Sequence, residues 1–501
     1  MQKKYILFLI IFLVLVNSCQ KETSESKQWD ENILARVGDK TISKAEFIRR
    51  AEYTPRPKYC QQDFPIHKKI ILNSLIAEKL LALEGQDTTA IFSNKSFTSY
   101  LKGRKEQAMR QYLQYKMGHE RVEKIDTTKA LKLAQFSKRK YKVDYITATN
   151  ADTAQKIVNA LKQNQEFSDV VNNYYILDSI PKKSVKWHEV EDDRVMEAFF
   201  TKNHDKNDII GPIPVSNNQY LIAKIDQYEE NVGENRQEFL NRFKRVVDYE
   251  TRQAADEEYT EYVRQVMDGK KLNWNRDILI ELVNIVAPQY LNSREEQKNR
   301  LQNIFWKIEK REHDIQTDRE KLNNIRNQEL FNVGGDSWTV ERFLQYRRVH
   351  PLVFRKRKMK NHEFTENFQM AIVDMITDYY LTKEAYKQNL DEVSIVSRNY
   401  NMWKDHLAGM YMFGNYQKKL QVDSTDKSQE KIINKYYNPY IDSLQKKYSS
   451  MIEINADVFN DIEITKMQMI ANKTNAPFPI LVPPFPVLTN DHKMDYGSLM
   501  Q

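Results

Sequence analysis

The chain has 501 residues, 41% of them hydrophobic and 29% charged, with only 12 glycines. That length exceeds a single core and implies about three domains, and a globular but strongly charged composition with few glycines implies long amphipathic helices. A formal charge of +8 is modest at this size and excludes a dedicated nucleic-acid binder, which would concentrate far more basic charge.

Lys3 and Lys4 precede an apolar run from Tyr5 to Val16, and Val16-Asn17-Ser18-Cys19 follows directly. The run is too short for a membrane-spanning helix of about 20 residues and has the layout of a secretory signal. It resembles the leader of bacterial lipoproteins, in which a small residue precedes a cysteine that is acylated and becomes the mature N-terminus. The resemblance implies a signal peptide over 1–18, lipidation at Cys19, and a lipid-anchored protein of the cell envelope facing the periplasm. Cys60 is then the only other cysteine, so no intrachain disulfide can form even in an oxidising compartment. Residues 19–32 are polar and aperiodic, as expected of a tether.

From Ile33 to Phe47 the phrase "ILARVGDKTISKAEF" predicts a strand, a turn at Val37-Gly38-Asp39, and a helix capped by Ser43. A second helix follows, with Leu72, Leu75, Ile76, Leu80 and Leu83 on one face. Residues 33–140 thus form the first part of a helical module. Residues 141–230 differ: "YKVDYITA" (141–148) alternates as a strand, the stretch from Ala151 is helical, and "GPIPVSNNQYLIAKI" (211–225) reads as a turn followed by a strand. This is a small α+β insertion. Residues 231–328 return as helices and a connector, in which "YVRQVMDGKKLNWNRD" runs from an amphipathic helix into a short extended segment ending Asn-x-Asp.

The opening phrase then recurs. In "LFNVGGDSWTVERF", Leu330, Val333, Gly334, Trp338, Thr339 and Phe343 align at one constant offset with Leu34, Val37, Gly38, Ile42, Ser43 and Phe47. Ile372, Met375, Ile376, Tyr379 and Tyr380 match the second helix, and "YIDSLQKKYSSMIEINAD" from Tyr440 matches the extended segment ending Asn-x-Asp. Residues 329–470 are therefore a second copy of the helical module, without the insertion. The tail, 471–501, contains "APFPILVPPFPVL" (476–488); its prolines forbid helix and favour polyproline II, and its apolar character places it in a groove of its own protein or of a partner.

The turn-helix opening and its "SLIAEKLL" helix resemble the N-terminal region of SurA-like and PrsA-like periplasmic chaperones. The insertion resembles a parvulin-type peptidyl-prolyl isomerase domain, whose frame is kept by Ile146, Asp152, Ala154, Ile157, Leu161, Phe167, Trp187, Gly211, Pro212, Tyr220, Ile222 and Lys224. Parvulins place two histidines and a neighbouring Cys or Asp beneath the isomerising amide. Here Tyr145 and Leu221 stand at the two histidine positions, and Lys182-Lys183 replaces a customary glycine pair. Leu221 cannot hydrogen-bond, so the resemblance implies a degenerate isomerase, weak or inactive. Met196, Phe199 and Phe200, with Trp187 and Tyr220, are the candidates for an apolar client-binding groove, although helical spacing such as that of the first three is more often plain core.

Nine histidines are scattered without an HExxH or Cys/His cluster, which predicts no metal and no cofactor. His188-Glu189 and Asp405-His406 read as surface neighbours, and "RKRKMK" (355–360) as a solvated helical face. The expected fold is mainly α: two SurA-like modules, the first interrupted by a parvulin-like domain. The expected function is a membrane-anchored envelope chaperone that holds unfolded or partly folded exported proteins, outer-membrane proteins among them, with no nucleic-acid partner. An active prolyl isomerase and a structural accessory lipoprotein of a secretion or outer-membrane complex are the alternatives.

Overall fold

A computed structural model describes residues 33–85, 89–122, 125–163, 165–175, 179–190, 192–216, 219–230, 235–291, 316–356, 359–423, 426, 428–464 and 482–499. The signal segment 1–18, Cys19 and the tether 19–32 lie outside the described residues, as do 471–481 of the tail. The fold is mainly helical with small, mostly antiparallel sheets, as the composition implies. It divides into two compact units, one formed by the chain up to Tyr112 and from Gly269 onward, the other by Leu113–Asp268. The second module and residues 33–112 and 269–328 of the first therefore belong to one unit, whereas 113–140 and 231–268, expected in the first module, fall in the other with the insertion.

That unit opens with β1 (Ile33–Val37) and β2 (Lys40–Ser43). Gly38 makes the turn between them at φ +62, a left-handed backbone that glycine adopts without steric cost. Helix α1 (Lys44–Glu52) starts where Ser43 Oγ accepts from the Glu46 amide at 3.0 Å, which satisfies an amide left without an intrahelical partner. Helix α2 (Pro65–Glu84) begins with Pro65, whose fixed φ suits a first helical position. Every residue of α2 from Ile70 to Ala82 is buried, so the helix is covered all round rather than on the single predicted face. Helix α3 (Lys95–Met117) then carries the chain into the other unit.

In the second unit α4 (Thr127–Phe136) leads into β3 (Arg139–Ala148), α5 (Ala151–Lys162), α6 (Phe167–Asn172), β4 (Lys182–Val185), α7 (Asp193–Phe200), β5 (Ile209–Ser216), β6 (Gln219–Glu230) and α8 (Arg236–Met267). The sheet runs in the order β4-β3-β6-β5, with every pair antiparallel. The stretch Gly211–Ile225, read as a turn followed by a strand, opens in strand instead: Gly211–Ser216 is most of β5 and hairpins onto β6. Alternation along the central strands sends Ile146, Ala148 and Ile222 to one face, under α5 and α6. Tyr141, Val143, Ala223 and Ile225 go to the other, packed with side chains of α4, α7 and α8.

The chain returns to the first unit with β7 (Leu272–Trp274), α9 (Arg276–Leu291), α10 (Gln316–Ile325), β8 (Glu329–Val333), β9 (Asp336–Thr339), α11 (Val340–Val349), α12 (Asn361–Lys387), α13 (Ser394–Lys419), α14 (Asn438–Lys447), β10 (Ile452–Ile454), α15 (Ala456–Asn460) and β11 (Ser498–Leu499). The duplication is visible in register, but the copies exchange their ends. The closing strand of the second copy, β10, pairs with the opening hairpin of the first, matching Val37 to Ile452 and Ala35 to Ile454. The closing strand of the first copy, β7, pairs with the opening hairpin of the second, matching Val333 to Leu272 and Phe331 to Trp274. Flanking bonds repeat as well: Gly38 N–H to Met451 O at 2.8 Å and Gly334 N–H to Lys271 O at 3.1 Å, then Asn455 N–H to Leu34 O at 2.9 Å and Asn275 N–H to Leu330 O at 3.0 Å. Thr339 caps α11 as Ser43 caps α1.

The exchange continues in the helices. Helix α2 of the first copy packs along α13 of the second. Gly409 of α13 permits the approach: a Cβ there would lie 2.7 Å from the Glu78 carbonyl oxygen. The basic run "RKRKMK" is corrected in one respect. Arg355 and Lys356 precede α12 in non-helical backbone and pair with Asp374 and Glu363, while 357–358 lie outside the described residues.

Candidate functional site

In the second unit the register pairs Tyr145 with Ala223 and Thr147 with Leu221. Tyr145 and Leu221 are thus diagonal neighbours on one face of the central strand pair, both half-buried against the cluster around Tyr141. A phenol beside an isobutyl group cannot form a paired imidazole network, because leucine neither donates nor accepts. The histidine that packs near this face is His204, which sequence reasoning did not single out. Its Nε2 lies 2.9 Å from the Ala198 carbonyl, its amide donates to Tyr141 Oη at 3.2 Å, and burial pushes its pKa below the ordinary imidazole value. Held this way, the ring is a core element.

The groove candidates are corrected by their burial. Met196, Phe199, Phe200 and Trp187 are 4%, 1%, 0% and 9% exposed, packed in the cluster around Tyr141. Tyr220 is half-buried in the other cluster, on the opposite face of the sheet. The five are divided between two cores instead of gathered on one surface, and side chains already sealed offer no area to a client.

The first unit holds a different constellation. Glu78 and Lys79 sit in the middle of α2, fully enclosed, and draw Lys40, Glu46, Arg50, Asp405 and His406 around them. Arg50 grips Glu78 in two bonds, at 3.0 and 2.8 Å, and His406 Nδ1 lies 2.6 Å from the same carboxylate. Lys79 lies 3.1 Å from Asp405 and 3.2 Å from Glu46, and Lys40 lies 2.9 Å from Asp405. The surface reading of Asp405-His406 is therefore overturned; both are buried on α13, facing α2. His188 lies outside the residues whose side chains are described.

Burial alone would raise the Glu78 pKa, but the Arg50 guanidinium and the His406 hydrogen bond hold it well below the usual carboxylate range. Burial lowers His406, so the neutral ring donates to Glu78. Burial raises Glu46, against the pull of Lys79 and Arg50. With His406 neutral, Lys40, Arg50 and Lys79 balance Glu46, Glu78 and Asp405, which is what a low-dielectric interior requires of enclosed charge. The second copy carries a simpler version. Asp378, at the position of Glu78, takes His350 at 2.6 Å and Arg110 Nε at 3.4 Å.

Beside this network runs a groove occupied by the proline-rich tail. The described part, Val482–Leu499, lies in the chain's own fold, which settles its own-protein option for these residues. Arg50 donates to the Pro484 carbonyl at 2.8 Å, Ser74 to the Thr489 carbonyl at 3.3 Å, and Asn73 to the carbonyls of Asp491 and Lys493, each at 2.8 Å. Thr54 Oγ1 accepts from the Phe485 amide at 3.1 Å. Phe485, Leu488 and Tyr496 fill apolar sockets at 5%, 0% and 8% exposure, and β11 ends the segment by pairing parallel to β10. The signal for this site was in the sequence: Asn73, Ser74, Glu78 and Lys79 interrupt the otherwise apolar stretch Ile70–Ala82, and buried polar groups require partners.

No family model matches the chain, and comparison with curated proteins and with solved structures finds no match. Among the described residues there is no group of side chains suited to a metal ion, and no helix long and apolar enough to cross a membrane.

Proposed function

We propose that the protein is a membrane-anchored envelope chaperone that holds unfolded or partly folded exported proteins, with a parvulin-like unit that is catalytically weak or inactive. The observation that carries the reading is the groove along α2, which holds an extended chain mainly through bonds to its main-chain carbonyls. Such bonds are indifferent to sequence, and apolar sockets add affinity without strict selection, the combination a promiscuous holder needs. The parvulin-like resemblance is supported by the frame residues Ile146, Ala154, Ile157, Leu161, Phe167 and Ile222, which pack together in one cluster under α5 and α6. The absence of imidazole from both Tyr145 and Leu221 argues against turnover.

The test uses the full chain. It suppresses aggregation of a chemically unfolded outer-membrane protein at near-stoichiometric ratio, while isomerisation of a prolyl peptide proceeds at its uncatalysed time constant, on the order of 10–100 s. Fast isomerisation lost on Tyr145→Phe would make the protein an enzyme with an altered site. Cys19→Ser releases the chain from membranes if the anchor is the acylated cysteine.

A further inference from the structure

The segment in the groove has two properties that separate it from an ordinary core strand. Its main-chain bonds come chiefly from side chains of α1 and α2, not from a strand ladder. Arg50, Asn73 and Ser74 donate to carbonyls, so the groove asks few amides of its occupant and accepts proline, which has none. Vacating the groove opens Asn73, Ser74 and the Arg50 guanidinium on the side the tail now covers, where water can take the place of the lost carbonyls. The occupant presents Phe485 and Leu488, three residues apart, to the sockets, and Pro484 and Pro486 keep it extended.

We propose that this groove is a binding site for extended, proline-bearing apolar segments of unfolded polypeptide, and that residues Pro483–Tyr496 are its built-in competitor. The identity of the ligand rests on the chaperone reading; the site itself rests on the geometry. A tethered competitor acts at an effective concentration in the millimolar range, so an incoming segment binds with an apparent affinity reduced by the fraction of molecules whose groove is open. Clients rich in such segments displace the tail, and folded proteins do not.

The probe is a fluorescent peptide with the sequence of residues 482–499, and its control carries serine in place of the phenylalanine and leucine that correspond to Phe485 and Leu488. Full-length protein carrying Phe485→Ser and Leu488→Ser binds the probe at least tenfold more tightly than the natural chain and ignores the control; adding Asn73→Ala weakens that binding. On the natural chain, excess probe accelerates amide hydrogen exchange across 482–499 and leaves α2 protected. Equal probe affinity in the two proteins, loss of helical circular dichroism in the double variant, or unaltered exchange at excess probe overturns the proposal, the second because the tail is then a structural strap. If probe displaces the tail but the protein suppresses no aggregation, the site stands and the chaperone reading falls. If aggregation is suppressed while the probe never binds, the reverse holds.

Discussion

The two copies of the helical module agree in some places and part company in others, and the division is informative. Both open with a capped hairpin, both accept a closing strand from the other copy in the same register, and both bury a carboxylate at the same helical position, Glu78 or Asp378. They differ in what surrounds those parts. The first has a four-stranded sheet closed by β11, three buried cations balanced by three carboxylates, and a filled groove; the second has three strands and one carboxylate shared by His350 and Arg110. What the copies share is what the exchanged fold requires. The tail and the enlarged ion network gather around α2 of the first copy, with Asp405 and His406 supplied by α13 of the second, and that is where the candidate site lies.

The largest effect comes from breaking the shared carboxylate. Glu78→Ala leaves Arg50 enclosed without its bidentate counter-charge and His406 without its acceptor, and costs about 3–5 kcal/mol, whereas Asp378→Ala costs less, because Arg110 keeps a bond to Thr382 at 2.8 Å. Urea denaturation of the two variants measures the difference, and equal losses would mean that the enlarged network adds nothing. A smaller loss, about 1–3 kcal/mol, follows Gly409→Ala, whose Cβ forces α13 away from α2. The same denaturation series reads it.

The smallest effect is a slope. His406 has its folded pKa depressed by burial, so the stability it contributes is present above the unfolded value of about 6.5 and drains away as pH falls toward the folded one. Glu78 adds to the acid loss in the carboxylate range, and Glu46, raised by burial, opposes it there. His406→Gln therefore flattens the dependence of stability on pH below about 6.5, as urea denaturation repeated across that range would show.

Much of this architecture was legible in local pattern. The hairpin turns, the Ser43 and Thr339 caps, the periodic face of α12, and the α+β character of the insertion all follow from short-range chemistry, and the repeat announced itself in aligned glycines and apolar residues. The exchange of closing strands did not, because β7 and β10 share one apolar-polar-apolar pattern and nothing local tells a strand which hairpin will receive it. Asp405-His406 looked like surface because neighbouring residues cannot reveal a carboxylate on a helix more than 300 positions away. Met196, Phe199 and Phe200 carry the helical spacing of plain core, which a groove wall can share, and they are buried. At the tail the prolines excluded helix, but only the unmet polar groups of α2 could have pointed to its resting place.

Pairing Val37 with Ile452 also constrains how the molecule can be made. A chain that emerges with its N-terminus first produces β1 hundreds of residues before the strand that completes its sheet, so the opening hairpin must wait, unsealed, for most of synthesis. Native contacts of such long sequence separation fold slowly and leave apolar surface exposed in the meantime. The β7–β8 pairing, between residues 272–274 and 331–333, closes far sooner. The second hairpin is thus the natural nucleus, and the first part of the chain to be synthesised is among the last to reach its final form.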